Sequence, residues 1–269
     1  MQKILAFDFD GCIVDSMMEA LFVSYVSYRK HINQSTKIFN NERPEINSFL
    51  KLTSSYQPQV EKFRKYRHFI KDASDYAVIL YVIENNLRVS SANEFFRVKK
   101  LLPEENLKEY YDCFYNTRAK MIKDNFNAWA KFTPGFPCID QIRELANKYK
   151  SVIATTNSKE SIKDLLAEQY LNLNIMDEDI VDLNVSTDKI VQMKYIARRY
   201  KVRFEDIHFV DDNLNHLLAV KDLGVNVYLA GWGYCTAQQK HSAKKSEEIT
   251  LLTEEDIYSV LNEAVKLEE

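Results

Sequence analysis

Five glycines serve the 269 residues, and their positions divide the chain: Gly11, Gly135, Gly224, Gly231 and Gly233 leave none between Cys12 and Pro134. A stretch of that length lacks the residue that turns a backbone most freely. Within it, apolar residues recur at helical spacing in Leu21, Phe22, Tyr25 and Tyr28, in Tyr76, Ile79, Leu80 and Ile83, and in Leu107, Tyr110, Tyr111, Phe114 and Met121. The pattern predicts an all-helical block of about 115 residues. Asp15-Ser16 opens its first helix, where Ser16 and Glu19 fit a capping box.

Outside that block, short β-rich runs alternate with amphipathic helices: Ile4 to Phe9, Val152 to Thr156, Ile180 to Val185, Ile207 to Val210 and Val225 to Leu229. Runs such as Ile4-Leu5-Ala6-Phe7 are nearly continuous in apolar character, as expected of strands covered on both faces. The predicted fold is α/β, a doubly wound parallel sheet with an inserted helical domain. Residues 1–15 and 133–269 form the core, and residues 16–132 form the insertion. The polar tract Gln238 to Glu248 reads as a solvated helix.

Composition excludes some classes of function. A formal net charge of -3 leaves no basic field for gripping nucleic acid through its phosphates. Cys12, Cys113, Cys138 and Cys235 lack CxxC spacing and disulfide density, so free thiols in a reducing compartment are expected. The first apolar run is cut by Asp8, too early for a signal segment, and no run is long enough to cross a bilayer. A cytoplasmic protein follows, without a membrane partner, as a monomer or weak homo-oligomer.

Three strand ends carry the chemistry. Asp8 and Asp10, two apart at the end of the first strand, project from one face, and Gly11 allows a tight exit. Paired carboxylates there repel one another unless a cation or a shared proton intervenes. An Asp-rich turn that merely caps a helix is the bland alternative. The second strand ends in Thr155-Thr156-Asn157-Ser158, a corner able to hold an oxyanion. Thr156 is the natural phosphate-oxygen donor, and Asn157 or Ser158 can cap the following helix. Lys189 stands at a helix N-terminus, unfavourable against the macrodipole unless something anionic lies nearby. The last strand ends in Asp211-Asp212, a second acidic terminus that calls for a divalent ion.

Asp8-Phe9-Asp10-Gly11, Thr156, Lys189 and Asp211-Asp212, in this order, resemble the four motifs of the haloacid dehalogenase-like hydrolase superfamily. Phe132-Thr133-Pro134-Gly135 looks like the hinge that returns from a helical cap. Gly231-Trp232-Gly233-Tyr234 is similar to a late loop of phosphoglycolate-phosphatase-like members with the C1 type of cap. The resemblance implies a Mg2+-dependent phosphatase acting on a small-molecule phosphate monoester through an aspartyl-phosphate on Asp8. Asp10 would serve as acid and base and lend its backbone carbonyl to the metal. Thr156, Asn157 and Lys189 would hold phosphate oxygens, and Asp212, aided by Asp211, would complete the metal site.

Two positions depart from the family pattern: Asp211 stands where a glycine is common, and His216 stands where a second acid is frequent. His216 is expected on the helix surface, with an outer role at the metal site as the alternative. In the cap, Tyr66 to Asp72 resembles the substrate-specificity segment, with Arg67 and Lys71 as candidate contacts for the leaving group. A solvated helix face over Arg64 to Arg67 is the competing reading. Other functions compatible with these motifs are a phosphomutase of the β-phosphoglucomutase type and a non-catalytic phosphate-sensing or partner-binding protein.

Overall fold

The computed structural model describes residues 2–266. The chain divides into two compact units, one made of the residues up to Asp15 together with those from Pro134 onward, the other of Ser16–Thr133. Thr133, expected in the α/β part, falls with the helices.

Among the described residues the first unit is built on six parallel strands: β1 (Ile4–Phe7), β2 (Ser151–Ala154), β3 (Ile180–Val181), β4 (Ile207–Asp211), β5 (Asn226–Ala230) and β6 (Ile249–Leu252). Their order is β3-β2-β1-β4-β5-β6. The chain winds outward from β1 in one direction, then returns and winds outward in the other, so the switch point lies between β1 and β4. In open sheets of this kind ligands bind beyond the carboxyl ends of the strands at that point. All four residues of β1 are fully buried. Ile4 and Ala6 join Met193 and Ile196 of the helix Lys189–Tyr200 and Leu217 and Val220 of the helix Leu214–Lys221 in one apolar cluster. Burying an aliphatic side chain of this size contributes roughly 1.5–3 kcal/mol, which ties the two helices carrying candidate polar residues firmly to the sheet.

The expected third strand is cut to two residues. Asp182 turns back, accepting from the backbone N–H of Asn184 at 3.1 Å and from that of Lys159 at 2.9 Å. β6 was not anticipated, because Ile249-Thr250-Leu251-Leu252 is a single short run behind a polar helix. That helix, Ala237–Lys245, is capped by Thr236 and Gln239 in a reciprocal box. Where the helical block leaves and rejoins this unit, the connecting chains pair. Asp15 donates its N–H to Pro134 at 2.9 Å, and Phe136 donates to Ile13 at 3.1 Å.

The second unit is wholly helical, with Met17–His31 packed along Glu104–Asp124. Tyr76 lies stacked between Phe63 and Phe114, at ring separations of 5.6 and 5.4 Å. The predicted capping box does not form. The Ser16 hydroxyl accepts from the Arg67 guanidinium at 2.9 Å, and Glu19 is held by Arg118 through two bonds of 2.7 and 2.8 Å. Tyr111, placed on the apolar face by its spacing, is exposed. Among the described residues no helix is long and apolar enough to cross a membrane, and all four cysteines are buried free thiols.

Candidate active site

β1 stops where acids begin. Asp8 still donates its N–H to the Val210 carbonyl at 2.8 Å, so its backbone is fixed against β4. Three positions on, the chain turns: Gly11 adopts φ +93°, and the Gly11 N–H bonds the Val14 carbonyl at 2.9 Å. A Cβ at Gly11 would lie 2.5 Å from the Asp212 carboxyl carbon, and one at Gly233 would collide with the Gly11 carbonyl and the Asp212 side chain. The two glycines therefore let β1's exit loop and the Gly231-to-Tyr234 loop close around Asp212. Trp232 Nε1 donates to the Cys12 carbonyl at 2.9 Å, the Tyr234 N–H donates to Asp212 Oδ2 at 2.6 Å, and the Tyr234 hydroxyl donates to Asp15 at 2.8 Å.

Asp8, Asp211 and Asp212, all buried, bring carboxylate oxygens within 4.8 Å of one another. Lys189 crosses beneath them, its side chain 1% exposed. Nζ donates to Asp8 Oδ1 at 2.8 Å and to the Ala154 carbonyl at 2.5 Å, and it lies 3.8 Å from Asp211 Oδ2. The helix that presents Lys189 is capped by Asp188, which accepts from the Ile190 N–H at 2.8 Å. One turn on, Gln192 Nε2 donates to the carbonyls of Thr155 and Ser186, 2.7 Å each, and so braces the loop after β2.

Burial raises the Asp8 carboxyl to about 6 against the opposing pull of Lys189. Asp211 shifts the other way: burial works to raise it, but His216, Lys189 and the Asn213 N–H together hold it below the ordinary carboxylate range. Burial alone would lower the Lys189 ammonium, yet Asp8 and Asp211 outweigh it and its pKa is raised. The nearby Cys12 thiol is pushed well up, first by burial and then by Asp212 and Asp211. It stays protonated and is no competing nucleophile.

At the end of β2 the two threonines divide. Thr155 is buried and its hydroxyl accepts from the Asn157 N–H at 3.0 Å, whereas Thr156 is exposed. Asn157 lies 3.4 Å from Asp10 Oδ2. Neither Asn157 nor Ser158 caps the following helix with its side chain, and Asp182 from the end of β3 takes the Lys159 N–H instead. His216 also departs from expectation. It is not a plain surface residue, because Nδ1 lies 2.9 Å from Asp211 Oδ2 and Nε2 lies 3.4 Å from Asn213 Nδ2. The loop Gly231 to Tyr234 was singled out by resemblance, but nothing in its residues announced that a backbone N–H would hold Asp212.

Arg67 and Lys71 belong to the helical unit. Arg67 and Tyr66 are buried, which removes the solvated-face reading for these two. The Arg67 guanidinium bonds Ser16 and sits 5.6 Å from the Tyr76 ring centroid. Lys71 is exposed, its ammonium 5.6 Å from the Phe96 ring centroid.

The donor set is made of hard carboxylate oxygens, with an oxygen-rich opening at a strand switch point. It fits Mg2+, which takes one or two carboxylates and keeps water for the rest of its shell, better than a soft metal.

A sequence profile described as haloacid dehalogenase-like hydrolase matches residues 2–224. No curated protein matches the sequence. Among solved structures, a candidate phosphoglycolate phosphatase from Lactobacillus delbrueckii subsp. bulgaricus is similar over 100% of both chains, with 12% identity and a TM-score of 0.64. A haloacid dehalogenase-like family hydrolase from Streptococcus pneumoniae is similar over 97% of this chain and 98% of its own, at 12% identity and a TM-score of 0.59. A predicted phosphoglycolate phosphatase from Haemophilus somnus shares 16% identity over 97% and 98%, with a TM-score of 0.58. At these identities the likeness is one of fold.

Proposed function

We propose, since the chain belongs to the haloacid dehalogenase-like hydrolases, that it is a Mg2+-dependent phosphatase of a small-molecule phosphate monoester. The observation that carries this reading is the buried Lys189 ammonium on Asp8, within a cluster of three buried carboxylates at the switch point of the sheet.

Each residue then has a distinct task. Asp8 attacks phosphorus, forming a carboxyl oxygen–phosphorus bond as the bond to the leaving oxygen breaks. Asp10 gives its proton to that oxygen. In the second half Asp10 takes a proton from water, the water oxygen attacks phosphorus, and the bond to Asp8 breaks, releasing phosphate and restoring the carboxylate. Lys189 balances the charge of Asp8 and, with Thr156 and Asn157, meets the phosphate oxygens. Asp8, Asp212 and the Asp10 carbonyl, aided by Asp211, would hold Mg2+, whose charge would neutralise the phosphate when bound. In the helical unit Lys71 is the exposed candidate for the leaving group, while Arg67 is already bonded within its own unit.

The test is release of inorganic phosphate from an aryl phosphate and from a panel of sugar phosphates, nucleotides and phosphoglycolate. Activity is expected to need Mg2+ and to vanish in Asp8→Asn. Silence of the wild-type protein across the whole panel in Mg2+ would refute the reading.

A further inference from the structure

The end of β4 holds two adjacent aspartates with different surroundings. Asp211 is fully buried, and its oxygens are already engaged. Oδ1 accepts the Asn213 N–H at 2.7 Å, and Oδ2 lies 2.9 Å from His216 Nδ1. Asp212 is oriented separately, by the Tyr234 N–H. An ionised carboxylate only accepts, so His216 Nδ1 carries the proton of that bond in either charge state of the ring. The backbone of His216 is fixed in the first turn of its helix, where its N–H donates to the Asn213 carbonyl at 3.0 Å, so the ring reaches back over the strand end.

The same Asp211 oxygen faces Lys189, but at 3.8 Å, beyond hydrogen-bond reach, while the ammonium sits at 2.8 Å from Asp8. His216 thus occupies the oxygen that would otherwise draw the lysine away from Asp8.

We propose that His216 is a positioning residue: by donating to Asp211 it holds that carboxylate as a support, which keeps Lys189 on Asp8 and leaves the cation to Asp8 and Asp212. The proposal rests on the phosphatase reading, and it changes the part given to Asp211 from ligand to brace. Removing a group from the hydrogen-bonded shell that supports a metal's ligands typically costs about 10–100-fold in metal affinity.

The experiment is calorimetric titration of Mg2+ into the full-length metal-free protein, with thermal melting of each variant as the control for folding. His216→Ala is expected to weaken Mg2+ binding about tenfold or more with a melting curve close to wild type. His216→Asn, whose amide nitrogen stands as many bonds from the backbone as Nδ1 and can donate in its place, is expected to recover most of that loss. Asp212→Asn should bind Mg2+ far more weakly than either. An unchanged Mg2+ affinity in His216→Ala, or equal loss in the Ala and Asn variants at position 216, overturns the proposal while Asp212→Asn still supports the metal site. If the wild-type protein takes up no Mg2+ and Asp212→Asn changes nothing, the phosphatase reading falls and the proposal with it.

Discussion

The two acidic strand ends lie side by side in one sheet, yet they treat a buried carboxylate in opposite ways. At the end of β1, Asp8 has one strong partner, Lys189, and burial wins: its pKa rises to about 6. At the end of β4, Asp211 is the more deeply buried, but His216 and the Asn213 N–H add to Lys189, and its pKa is lowered. The number of donors aimed at the carboxylate, more than depth, decides which form the fold favours. A carboxylate held with little internal support is free to change partner, as the proposed nucleophile must, whereas one saturated with donors serves as scaffolding.

Because both ends depend on Lys189, removing it is the severest way to break the contrast. Lys189→Met should abolish turnover and lower stability by about 3–5 kcal/mol, since it leaves buried carboxylates without their cation. Phosphate release and urea unfolding would show it, and a variant that kept its stability would mean the lysine is not the common partner.

The contrast in sign is tested next, in chelator without metal. The Asp8 carboxyl shifts from 3.8 to about 6 on folding. The folded state therefore binds this proton more tightly, and the stability it contributes is complete below about pH 4 and lost as pH rises through about 6. Asp8→Asn should accordingly be more stable than wild type at pH 7, by about 2–3 kcal/mol from the size of that shift, although it is inactive. Asp211 runs the other way: its lowered pKa adds stability above the unfolded value and loses it as pH falls. Asp211→Asn should be less stable at pH 7 by about 1–3 kcal/mol, the cost of unsatisfied buried donors. Equal signs for the two variants in denaturant melts would erase the distinction.

The smallest effect isolates the loop that holds Asp212. Tyr234→Phe removes the hydroxyl bond to Asp15 but keeps the backbone N–H on Asp212. It should cost about 1 kcal/mol and leave Mg2+ affinity within error, as calorimetry would show.

Much of this site was legible in the sequence because strand ends are legible. Ile4 to Phe7 is a continuous apolar run and Ile207 to Val210 is one broken only by His208, so the acids that follow had to emerge on one edge of a parallel sheet. The physics that escaped was the long-range competition for polar groups. Ser16 and Glu19 have the spacing of a capping box, but Arg67 and Arg118 lie 51 and 99 residues away and take both side chains. His216 lies five residues after Asp211 around a strand-to-helix corner, where spacing alone does not say which way a ring points. The β-rich pattern runs on to Val185, but Asp182 ends the strand by accepting from the Asn184 and Lys159 amides. β6 is hidden because its short run is broken by Thr250 and follows directly on the polar tract Gln238 to Glu248.

The position of β1 in the sheet also has a consequence for synthesis. The central strand precedes both of its pairing partners in the chain, since β2 and β4 begin only at Ser151 and Ile207. Between β1 and β2 comes Ser16–Thr133, a continuous segment with nearby helix–helix contacts. Such local topologies form quickly, whereas parallel pairing must wait for distant chain. The emerging protein therefore carries an orphan apolar strand for most of its translation, with the helical segment able to collapse ahead of it. The acidic cluster at the strand ends cannot assemble until β4 has been made.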